Sequence, residues 1–200
     1  MLVLVKLWNR CAERRPLLTL SLTNGAMAGV GDAIAQRLAP APAPAYDPWR
    51  TARFVTYGCL FGPVAFRWYS LLDRKFPLPA ATAAAATARA LAIGKRVAAD
   101  QVAFAPVAVA AFFAVMGALE QRTPAEIGAS FREKYPAALA GNYVLWPAAQ
   151  LVNFSLVPLV YRVPFSSLVS IVWNTYLSTV TNRRSMGSGR AEDRVSADRH

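Results

Sequence analysis

Hydrophobic residues gather into five stretches along the chain, at 17–38, 51–72, 101–119, 137–160 and 163–181. Each is close to the roughly 20 residues that carry a helix across a bilayer. None is an unbroken apolar block: every stretch holds Gly, Pro or a hydrophilic side chain, the pattern of helices that shield one another in a bundle rather than of a lone anchor. The fourth contains NYVLWPAAQLVNFSLVP, residues 142–158. At about 100° per residue, Asn142 and Asn153 fall about 20° apart on a helical wheel, with Trp146 and Gln150 inside an arc of roughly 80°. A polar face on an apolar helix is either a hydrogen-bonded seam against its neighbours or the wall of a wet cavity.

Similar stripes run through other stretches. Ser21, Gly25, Ala28, Asp32 and Gln36 recur at helical spacing, and Gly25 with Gly29 forms a small-xxx-small pair that lets backbones approach. Asp32 is costly in lipid without a partner or water, so it either closes a helix contact, with Arg67 or Arg96 as its partner, or faces a conduction path. Arg96 and Asp100 stand four residues apart and are expected to pair along their helix, with Gln101 beside them and Pro106 bending the helix beyond. In the last stretch Ser166, Ser170, Asn174, Ser178 and Asn182 recur every four residues, which suits interhelical hydrogen bonding or a hydrated lining.

The breakers set the organisation. A Pro-rich connector at 39–48 separates the first two stretches, and FPLP at 76–79 precedes an Ala-rich run, 80–92, predicted to continue as helix into the third. Thr123 and Pro124 read as the N-cap and first-turn proline of a short amphipathic surface helix ending near Tyr135. The expected organisation is a basic N-terminal segment at 1–16, a membrane helix bundle at 17–182 and a polar, disordered tail at 183–200. Lys and Arg show no sidedness if all five stretches cross, but gather on one side if the last two make a single crossing, so about four transmembrane helices are expected.

Composition agrees: 55% hydrophobic and only 16% charged residues are membrane values. The net charge of +11 is spread between the apolar stretches rather than along one basic stripe, which argues for bilayer anchoring and against direct nucleic-acid binding. Cys11 and Cys59 give no disulfide framework. The basic N-terminus lacks the pattern of a secretory signal and suits either mitochondrial import or a surface anchor. The single histidine, His200, lies in the tail, and there is no metal cluster, P-loop or GxGxxG, so neither an enzyme nor a cofactor or metal is expected. The sequon at Asn153 sits inside an apolar helix and is read as accidental.

The segments GVGDAIAQ, GPVAFRWYSLLD, DQVAFAP, NYVLWPAAQLVNFSLVPLVYR and VWNTYLS, spread from Trp8 to Ser178, together resemble the Mpv-seventeen and peroxisomal-membrane-protein family, most closely its mitochondrial inner-membrane branch. Many members carry a histidine where Phe66 stands here, so no role for that imidazole carries over. The resemblance implies four membrane helices, no enzymatic activity, and a non-selective channel or metabolite pore for small ions or metabolites. Such a pore would affect membrane potential and, indirectly, mitochondrial DNA upkeep. The candidate pore-lining or interhelical residues are Asp32, Gln36, Asp100, Gln101, Asn142, Gln150, Asn153, Ser170, Asn174 and Ser178. Two readings from other quarters stay open: a scaffold for lipids or membrane complexes, self-assembled or not, and a peroxisomal channel.

Overall fold

The computed structural model describes residues 2–38 and 45–173. Asn174, Ser178, Asn182 and the tail lie outside the described residues, as does most of the Pro-rich connector. Among the described residues the chain is an all-α membrane helix bundle without strands. Its helices are α1 (Leu2–Arg14), α2 (Pro16–Arg37), α3 (Pro48–Lys75), α4 (Ala86–Ala99), α5 (Ala105–Leu119), α6 (Pro124–Leu156) and α7 (Leu159–Trp173).

Prolines and caps place the boundaries. Pro16, Pro48 and Pro124 each open a helix in its first turn, where a missing N–H costs nothing. Asp47 caps α3 by accepting from the Arg50 amide at 3.0 Å. Thr123 and Glu126 form a capping box at the start of α6, and the Thr123 amide and hydroxyl hold the exposed Glu126 carboxyl below its usual range. The Ala-rich run does continue into the third stretch: a single helical segment of 37 residues, Ala83–Leu119, is long and apolar enough to cross a membrane.

Two boundaries differ from the sequence expectation. The amphipathic segment after Thr123 is not a separate helix; it runs through Pro136 into α6, because the carbonyl that Pro136 leaves unpaired, that of Arg132, belongs to an exposed turn that water can satisfy. The break between the last two stretches falls earlier, at Val157, whose extended backbone (φ −95°, ψ 121°) is the one a residue before proline adopts. Arg162 therefore lies inside α7, where it is buried.

The tightest packing is α2 against α3. Of the glycines predicted in α2, Gly25 meets Gly58 of α3 and Gly29 meets Val55; a Cβ on Gly58 would lie 2.8 Å from the Asn24 carbonyl oxygen, and one on Gly62 would lie 2.8 Å from that of Leu20. Backbone cannot step aside as a flexible side chain can. Ser21 and Asn24 use this proximity to donate hydrogen bonds across the seam to the carbonyls of Cys59 and Gly58, both at 2.6 Å. Leu20, Tyr69, Leu72, Ile93, Phe154 and Val163 close the apolar core beside it. The amphipathic α1 docks outside through Trp8, which donates to Thr23 at 2.9 Å and stacks on Tyr161. Replacing Gly62 by Ala should force α2 and α3 apart and lower stability by about 1–3 kcal/mol, read as a fall in the melting temperature of the purified protein, whereas Ala at the open Gly94 should change it little.

Candidate functional site

The site is built where α4 passes into α5. Pro106 has no N–H to give the Val102 carbonyl, and its ring crowds that turn; the chain answers with a π turn over Asp100–Phe104, closed by the Ala105 amide on the Asp100 carbonyl. The wider turn directs both Asp100 and Gln101 into the bundle, where they are 2% and 7% exposed. Asp100 therefore does not pair with Arg96, as the four-residue spacing suggested.

Asp100 instead receives three N–H donors: Trp68 Nε1 on Oδ1 at 2.8 Å, and on Oδ2 Gln101 Nε2 at 2.8 Å and Gln150 Nε2 at 2.9 Å. Two of these donors are themselves supplied by asparagines, Asn142 giving to Gln101 Oε1 at 3.3 Å and Asn153 giving to Gln150 Oε1 at 2.8 Å. Amide dipoles thus line up along two relays that end on one carboxylate, each bond polarising the next. Gln150 also donates to the Tyr69 hydroxyl at 3.2 Å, which bonds Ser166 at 2.9 Å, and Asn153 reaches Ser166 at 3.3 Å. The face predicted on the fourth stretch, Asn142, Gln150 and Asn153, thereby meets Asp100 and Gln101 in one buried network.

Beside the network lies a cavity of about 280 Å³ between α2, α3, α5, α6 and α7. Asp100, Gln101, Asn142, Gln150 and Ser170 are on its wall, with Asn24 and Ser167, which bond one another, further along. The remaining wall is largely aromatic and aliphatic, and includes Tyr57, Phe104, Phe112 and Trp146.

Asp32 and Gln36 do not join this network or line the cavity. Asp32 pairs with Arg50 at 2.8 Å, in place of Arg67, which is exposed, or Arg96; it also accepts from Thr51 at 2.7 Å and Gln36 at 2.8 Å. Gln36 in turn accepts from the Asp47 amide at 2.7 Å, tying the end of α2 to the start of α3. Arg96 is engaged at the other end of α3: it meets Asp73 and donates to the Phe76 carbonyl at 2.8 and 2.9 Å, while Arg162 from α7 reaches Asp73 at 2.7 Å.

Sequence reasoning missed Trp68, Tyr69, Asn24 and the three-helix cluster at Asp73. Trp68 and Tyr69 stand among apolar residues in GPVAFRWYSLLD and look like packing; only their polar tips signal a partner. Asp73 follows the second apolar stretch as an ordinary interfacial charge would. Phe66, where relatives by resemblance carry histidine, packs on the apolar core.

The sequence model of the Mpv17 / PMP22 family matches residues 117–178. Human "Mitochondrial inner membrane protein Mpv17" is 36% identical over 184 residues, covering 91% of this chain and 99% of the human protein. The chain belongs to this family. "Protein SYM1" of Eremothecium gossypii is 39% identical over 86% of this chain and 93% of its own, and "Protein sym-1" of Neurospora crassa is 39% identical over 82% and 91%. No solved structure matches. Like the human and mouse proteins that carry the Mpv17 name, this family member is a protein of the mitochondrial inner membrane.

Replacing Gln150 by Leu keeps the volume but removes a donor from Asp100 and Tyr69 and an acceptor from Asn153. Buried polar groups left without partners should lower stability by about 2–3 kcal/mol, and the melting temperature should fall clearly more than for Leu at Gln121, which is exposed.

Proposed function

We propose that this inner-membrane protein is a non-selective channel or metabolite pore, with no enzymatic activity, whose path for small ions or metabolites runs through the cavity beside Asp100. The observation that carries the reading is the set of polar groups on the cavity wall. Asp100, Gln101, Asn142, Gln150, Ser166 and Ser170 line a space within an apolar bundle. Polar groups this expensive in a membrane interior have a use when they line a path. About four of the helices cross the bilayer in this reading, with α1 at its surface. Through the flow of ions and small metabolites such a pore contributes to membrane potential and, indirectly, to mitochondrial DNA upkeep.

The scaffold reading has its own support. The Asp32 and Asp73 clusters satisfy themselves with arginines and bind helices together, as seams do. Conductance separates the two. Protein reconstituted in liposomes or planar bilayers should pass current, and Ala138→Trp, which fills the cavity from α6 and leaves the three donors of Asp100 in place, should abolish it while the protein still folds. Absence of current, or current unchanged by the filled cavity, would favour the scaffold.

A further inference from the structure

The cavity wall carries a single acidic side chain, Asp100, and no Lys, Arg or His among the described residues. The three contacts of Asp100 are all donations to it. The Trp68 indole can only donate, and both amides on Oδ2 present their N–H, so the site is built to hold Asp100 as an acceptor. No described arginine bonds Asp100: Arg96 and Arg162 both meet Asp73, while the half-exposed Arg50 is held by Asp32. A buried carboxyl group on a cavity wall without a described cationic side chain is placed to be the counter-charge of a cation from outside.

We propose that the cavity is a binding site for a small organic cation of the alkylated-ammonium class, with Asp100 as its counter-charge. The walls select for this class. Tyr57, Phe61, Phe104, Phe112 and Trp146 contribute aromatic rings, whose electron-rich faces attract ammonium groups that shed water easily. A bare metal ion is a poor fit, because a hard cation needs six or more oxygen ligands and this wall is mostly hydrocarbon. Phosphates and carboxylates would sit beside Asp100 with no Lys or Arg to receive them. A lipid acyl chain would fill the apolar part and leave the carboxylate unbalanced.

Such a site goes beyond the pore reading, since a site that binds need not conduct. Its test is equilibrium binding of choline to the full-length protein in dodecyl maltoside micelles, which carry no ammonium group of their own. The comparison probes are 3,3-dimethyl-1-butanol, choline's uncharged isostere, and inorganic phosphate. Choline should bind saturably and raise the melting temperature, and the other two should not. Asp100→Asn should weaken choline at least about tenfold, the order expected when a buried charge pair is lost. Ala138→Trp should remove binding while keeping the Asp100 carboxyl group and its three donors, and it decides the matter if Asp100→Asn fails to fold. Equal binding of the uncharged isostere, preference for phosphate, no choline binding, or unweakened binding by a filled cavity would each overturn the site. Choline binding without conductance in liposomes would uphold the site and count against the pore.

Discussion

A carboxylate inside a membrane bundle must be given donors, and the arrangement of Asp100 follows from that need. Trp68 comes from α3, Gln101 from the π turn, and Gln150 from α6, so that one carboxyl group ties together elements distant in sequence. The asparagines behind the two glutamines extend the same polarity outward. Removing any donor leaves the carboxyl group short of a protein partner.

The other two buried acidic clusters work differently. Asp32, packed against the start of α3, and Asp73, near its end, each meet arginine, which fixes the helix ends. At Asp73 two arginines also take up orphan carbonyls, Arg96 at Phe76 and Arg162 at Val157, closing the ends of α3 and α6. The carboxyl group in the middle is held only by neutral donors and faces a cavity whose described wall carries no cationic side chain. The glycine seam of α2 and α3 supplies the rigid wall against which the remaining helices stand.

Helical periodicity made the polar faces legible. The spacing of Asn142, Gln150 and Asn153 was enough to place them together, and Gly25 with Gly29 was enough to mark a close helix contact. Pairing was less legible, because it depends on which helices meet. Asp32 found Arg50, a residue on the far side of the Pro-rich connector, and Arg96 turned from Asp100 to Asp73. The π turn explains the second miss: Pro106 was visible as a bend, but its effect on the direction of Asp100 required the hydrogen bonds of the turn itself. Trp68 and Tyr69 were hidden by being amphipathic, their rings satisfying the apolar pattern while their polar tips entered the network.

The ionised state of Asp100 is the central claim, and infrared difference spectroscopy of the wild-type protein against Asp100→Asn at neutral pH addresses it directly. An ionised Asp100 predicts that the substitution removes a carboxylate stretching band and no protonated carboxylic C=O band. Loss of a protonated C=O band instead would mean that the network surrounds a neutral acid, which contradicts the claim.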